Sequence, residues 1–173
     1  MDLERKFAGG VPVLSEGSVI EGYASLFGLT DQGGDAVLPG AFAASLKRLG
    51  EVGGRVRMLW QHDPAQPIGV WDEIREDGKG LWVKGRLLTE VAQAREAAAL
   101  IGAGAIDGLS IGYRTIRAER DQKGRRRLAE VELWEVSLVT FPMLPEAKLG
   151  SKAAEEMREM AAVFLAASEA LRG

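Results

Sequence analysis

Hydrophobic and polar positions change period several times along this chain, and each change marks an element. From Val19 to Phe27, "VIEGYASLF" mixes aromatic and β-branched residues as a strand does, and the Gly- and Asp-rich "GLTDQGGD" reads as a loop. After Pro39-Gly40, the spacing of Phe42, Leu46 and Leu49 in "AFAASLKRL" predicts a short amphipathic helix stopped by Gly50. Alternation returns from Arg55 to Trp60, with Val56, Met58 and Trp60 on one face. His62 is expected to continue the Val56 face at the strand's end, and Pro64 to end strand pairing.

Further on, "IGVWDEIRED" and "LWVKGRLL" flank Asp77-Gly-Lys-Gly80, which predicts a hairpin whose glycines supply positive φ. Thr89 is positioned to cap an Ala-rich helix, "EVAQAREAAALI", that closes at Gly102. The stretches "LSIGYRTIRAE" and "LAEVELWEVSLVTF" read as two strands joined through the polar "RDQKGRRR". Ser151 to Leu171 predicts a last helix, with Met157, Met160, Phe164 and Leu171 as its apolar positions. Roughly six strands, mostly linked by hairpins, with two inserted helices and one terminal helix, specify an α+β protein. A curved antiparallel sheet or small barrel fits this order better than a doubly wound sheet.

Composition narrows the chemistry. With 173 residues, 46% of them hydrophobic and 27% charged, the chain can bury one proper core. Its 22 Lys and Arg against 25 Asp and Glu give a net charge of −3, so no overall positive field argues for nucleic acid or an anionic membrane, and the basic run Lys123 to Arg127 is local. No apolar stretch approaches the roughly 18 to 20 residues needed to span a bilayer, and "MDLERKFAGG" lacks the pattern of a signal peptide, so a cytoplasmic protein is expected. Cysteine is absent and His62 is the only histidine. A zinc site with the usual two or three imidazoles is therefore not available, no metal or cofactor is expected, and any Ser–His chemistry must use His62.

Gly108-Leu-Ser-Ile-Gly112 matches the G-x-S-x-G pattern of the hydrolase nucleophile elbow. That motif needs a strand, a sharp turn and a helix, with an acid and then a His after the Ser; here a strand follows Ser110 and no His follows residue 62. Gly102 to Gly108 resembles a dinucleotide-binding glycine loop, but it follows a helix and opens a strand, the reverse of the required context. Taken locally, Ser110 also has a plain structural use, since a Ser beside glycines can satisfy turn backbone groups. His62, next to Asp-Pro, can equally be a surface turn residue.

Glu135 is more pointed. Leu133, Val139 and Phe141 share its face and Trp134, Val136 and Leu138 lie opposite, so the strand is expected to be covered on both sides. A buried carboxylate needs a partner, either an Arg or the single imidazole. Asp63 is a rival acid, although neighbours on an extended chain point to opposite faces, and Asp107 suits a turn role first.

Taken together, "YASLFG" with "GD.V.PGAF", "LWQHD...PIG", "GAIDGLSIGY" and "LWEVSLVTFPMLPEA" resemble the tailed-phage prohead maturation protease family, in the expected order from about Ile20 to Lys148. The resemblance implies a serine endopeptidase distantly similar to the herpesvirus assemblin proteases, a small β-barrel surrounded by short helices. A protease domain is expected over 1–150, with a helical tail over 151–173 that lies outside the matching blocks. It makes His62 and Ser110 the catalytic pair, and Glu135 the acid chosen to orient the ring, with Asp63 as the alternative. Oxyanion donors would be backbone N–H groups near Ser110, such as that of Ile111, or Arg114, which strand periodicity puts on the Ser110 face.

The implied substrate is the scaffold, or a scaffold-like N-terminal segment of the major capsid protein, cut inside the procapsid in the host cytoplasm, together with the protease itself. Self-association as a dimer or larger assembly is a further expected partner interaction; nucleic acid and membrane are not expected partners. The helical tail is expected either to aid packaging into the procapsid or to be removed by self-cleavage. The competing class is an inactive capsid-assembly or scaffold protein that keeps the same fold.

Overall fold

Nine strands and two helices make up most of residues 4–8, 13–15 and 19–141, which are the residues that the computed structural model describes. The strands are β1 (Glu4–Ala8), β2 (Val13–Ser15), β3 (Val19–Leu26), β4 (Asp35–Val37), β5 (Arg57–Trp60), β6 (Asp63–Glu76), β7 (Gly80–Leu87), β8 (Gly108–Arg120) and β9 (Arg126–Val139). Helix α1 (Ala43–Glu51) precedes β5, and α2 (Ala92–Gly102) precedes β8. All strands join one curled, half-barrel sheet in the order β1-β8-β9-β5-β6-β7-β3-β2, with β4 beside β9. The α+β class follows, in a mixed sheet: β9 pairs antiparallel with β8 but parallel with β4 and β5.

Apolar side chains fill the sheet's interior. Ile20, Val37, Met58, Ile68, Leu81, Val83, Leu109, Ile111, Val136 and Leu138 are buried there, and burying each such side chain is worth about 1.5–3 kcal/mol before conformational entropy is counted. Helix α2 docks through Ala94, Ala97 and Ile101, spaced by one helical face, while α1 lays Leu46 and Leu49 against the same core. A polar anchor adds to α1: Ser45 Oγ accepts the Leu133 N–H at 2.9 Å, tying the helix to β9.

Several local expectations are corrected. Nine strands replace the six expected because β1, β2 and β4 are short segments stabilised by pairing, not by hydrophobic periodicity. Pro64 does not end pairing: β6 starts at Asp63 and carries Pro64 and Pro67, with register shifts against β5 that absorb the missing N–H groups. Helix α1 runs through Gly50 to Glu51, and Gly53, at φ +65°, lies just beyond its C-cap. Thr89 does not cap α2, whose N-cap is Val91 without a side-chain bond; the Thr89 carbonyl instead accepts from Arg95 Nη1 at 2.8 Å.

In the β6–β7 turn neither Gly78 nor Gly80 has positive φ. Asp77 organises that turn, Oδ1 accepting the Lys79 and Gly80 N–H groups at 2.8 and 3.1 Å. Gly80 is needed for a different reason: a β-carbon there would collide with the Ser25 carbonyl of β3. The predicted helix from Ser151 to Leu171 lies outside the described residues.

Candidate active site

Strand β9 is where the site is assembled. Its β8 ladder sets Ser110 opposite Ser137 and Gly112 opposite Glu135, while its parallel ladder with β5 sets Leu59 beside Ser137 and Trp60 beside Leu138. Chain segments 48 and 73 residues apart thus deliver a hydroxyl, an imidazole and a carboxylate to one place.

His62 is not aimed by continuing the Val56 face. Gln61 and His62 adopt φ of 51° and 63°, left-handed values that side-chain-bearing residues rarely take, and this turn swings the ring off the strand direction. The turn is stitched to the end of β9 and to Thr140 just after it: the Gln61 N–H donates to the Leu138 carbonyl at 2.9 Å, Gln61 Nε2 to Thr140 Oγ1 at 2.6 Å, and the His62 N–H to Ser137 Oγ at 3.2 Å.

The resulting line is short and dry. Ser110 Oγ lies 2.6 Å from His62 Nε2, and His62 Nδ1 lies 2.5 Å from Glu135 Oε1. The neutral tautomer that satisfies both contacts carries its proton on Nδ1, donating to Glu135 and leaving Nε2 to accept from the Ser110 hydroxyl. Glu135 Oε2 accepts from Ser137 Oγ at 2.5 Å. Relative exposures of 0% for Ser110, 6% for His62 and 3% for Glu135 remove bulk water from all three groups, so their mutual electrostatics are weakly screened. Glu135 is thereby buried with two donors, which offset its desolvation.

The other sequence candidates have contacts of their own. Asp63 accepts the Ala65 N–H at 2.9 Å and Gln66 Nε2 at 3.0 Å, closing its own turn and not holding the ring. Arg114 lies past a register shift between Gly112 and Tyr113, with Nη2 2.7 Å from Glu132 Oε2. Ile111 stands between ladder partners Lys6 and Val136, so an oxyanion role for its N–H would compete with sheet pairing. Phe141 does not join the Glu135 face: it follows the end of β9 and is 82% exposed. Trp134, on the opposite face, is partly exposed, whereas Val136 and Leu138 are buried.

Two further residues, Ser137 and Gly112, shape the surroundings of Glu135. Ser137 shares the Glu135 face by strand alternation, which is a usable signal. The need for Gly112 is set across the ladder, where the Glu135 carboxylate fills the space of its missing side chain. No group of three or more His, Asp or Glu side chains suited to a metal ion occurs among the described residues. Nor is any helix among them long and apolar enough to cross a membrane.

The chain is similar to known proteins in both sequence and structure. The model of the caudovirus prohead serine protease family matches residues 11–162. The prohead protease of Enterobacteria phage HK97 is 33% identical over 153 residues, covering 87% of this chain and 65% of that protein, so the chain spans just under two thirds of that relative's length. The solved structure of the bacteriophage T4 capsid assembly protease aligns with a TM-score of 0.63 and 19% identity, over 82% of this chain and 98% of the other. At that identity the structural match speaks for a shared fold.

Proposed function

The chain belongs to the caudovirus prohead serine protease family, and from that premise we propose that it is a serine endopeptidase acting in phage head maturation, with Ser110 as nucleophile, His62 as general base and acid, and Glu135 as the acid that orients His62. The observation that carries this reading is the unbroken hydrogen-bonded line from Ser110 Oγ through the His62 ring to Glu135.

In the proposed reaction His62 Nε2 takes the Ser110 proton as Oγ attacks a peptide carbonyl, and then returns a proton to the leaving amine. Glu135 holds the proton-bearing Nδ1 and stabilises the imidazolium while it exists. A water then repeats the cycle on the acyl-enzyme. The developing oxyanion is assigned to a backbone N–H beside Ser110, such as that of Ile111 once released from sheet pairing, or to Arg114 acting through a water. Because Ser110 is fully covered, entry of a substrate requires local opening around it.

The proposed substrate is the scaffold, or a scaffold-like N-terminal segment of the major capsid protein, inside the procapsid, with the protease cutting itself as well. The description of the sequence relative as a prohead protease supports this choice. Coexpression with the capsid protein tests it: Ser110→Ala and His62→Ala should each leave capsid protein at full length while shells still assemble. Normal processing by both variants would overturn the assignment and favour the inactive assembly protein.

A further inference from the structure

The Ser137 hydroxyl makes two contacts that the chemistry above does not use. It donates to Glu135 Oε2 at 2.5 Å and accepts the His62 backbone N–H at 3.2 Å, in a residue with no exposed surface. We propose that Ser137 is a positioning residue that fixes the plane of the Glu135 carboxylate and the height of the His62 turn together. Its catalytic consequence rests on the proteolytic reading; its geometric role does not.

A carboxylate held at one oxygen can rotate about its last side-chain bond. Glu135 Oε1 is held by His62 Nδ1, and Oε2 by Ser137, so the two contacts together set which lone pair faces the imidazole. Losing the Ser137 donor leaves a charged oxygen buried with its hydrogen-bonding capacity unmet, and the carboxylate is then expected to rotate or recruit water. That motion would carry His62 Nδ1 with it.

The backbone contact acts on the same ring from the other side. The left-handed pair Gln61 and His62 persists because its surroundings hold it, and its fastenings run to the segment from Ser137 at the end of β9 to Thr140 just beyond it. One hydroxyl therefore registers the acid and the base against one strand. Ser137 also faces Ser110 directly across the β8 ladder, so removing its oxygen adds no bulk beside the nucleophile.

Because His62 is the only histidine, ring-nitrogen-labelled protein shows the two nitrogens of a single imidazole, and the full chain can be studied directly by NMR. The expected result is a low-field Nδ1 proton in the wild type and in Ser110→Ala, which shifts and broadens in Ser137→Ala. In the peptidase assay Ser137→Ala should lose about 10- to 100-fold in kcat with KM little changed, the range expected for one hydrogen bond to a charged group. Ser137→Thr, which keeps the hydroxyl, should recover most of both signals. An unaltered resonance and kcat in Ser137→Ala would overturn the proposal. So would a Ser137→Thr variant that folds, by circular dichroism, yet loses as much as Ser137→Ala. A wild type that cuts no capsid protein, but whose resonance moves only in Ser137→Ala, would sink the proteolytic reading and leave the positioning role standing.

Discussion

The carboxylate of Glu135 occupies the space that a β-carbon on Gly112 would fill, the two residues facing each other across the β8–β9 ladder. A side chain at position 112 must therefore push Glu135 away from His62. Gly112→Ala is expected to fold, since its φ is not in the left-handed region, but to lose about tenfold or more in kcat. Circular dichroism together with steady-state kinetics checks this; wild-type kcat in a folded Gly112→Ala would mean that Glu135 does not need its present place.

Ser110 and His62 act as one unit in the proposed chemistry, so their losses should not add. Each alanine variant is expected to reduce kcat by about 10³-fold or more, and the double variant to fall no further than the worse single one. Multiplicative losses in the double variant, measured on a peptide spanning a capsid-protein cleavage site, would show that the two side chains act independently.

Glu135 and Asp63 can be separated by isosteric amides. Glu135→Gln keeps the shape but places a neutral group against His62 Nδ1, and a kcat loss of about 10²- to 10⁴-fold is expected by analogy with other triad acids. Asp63→Asn, whose acid serves Ala65 and Gln66, should change kcat less than about threefold, within the range of a surface turn substitution. The reverse ranking would transfer the acid's role to Asp63.

Stability toward acid should follow Asp77. Its carboxyl is lowered from 3.8 to about 2, first by the Tyr23 hydroxyl, which donates to Oδ2 at 2.7 Å, and then by the Lys79 N–H. A depressed folded-state value means that the contribution is present above the unfolded value near 3.8 and is lost as pH falls toward 2. Asp77→Asn should therefore lower Tm at pH 7, with the gap to wild type closing between about pH 4 and 2. Tyr23→Phe should move the Asp77 titration back toward 3.8, as followed by carboxyl-carbon NMR.

How far the site could be read from the sequence differs from residue to residue. Ser110 and His62 stood out because the chain has one histidine and its serine lies in "GLSIGY", and Glu135 stood out because a carboxylate amid apolar strand residues demands a partner. Alternation failed at His62, since two left-handed residues break the period that the strand sets. It gave no reason for Gly112 or Gly80, whose missing side chains make room for Glu135 in one case and for the Ser25 carbonyl in the other. The G-x-S-x-G spacing has a local cause here: its second glycine clears space for an acid 23 residues later, not for an elbow.

What the sequence determined by itself was the supply of chemistry and the local periods: one imidazole, no thiol, a strand-rich chain with two helices before residue 110 and an acid in an apolar strand. Those properties depend on residue identity and on neighbours a few positions away. Which groups meet was decided by tertiary structure, because β9 pairs with β8 on one side and with β5 on the other, and only that double pairing sets Ser110, His62, Glu135 and Ser137 within hydrogen-bonding reach. Pairing between distant strands is settled by burial of the whole core and by ladder geometry, which no single segment encodes.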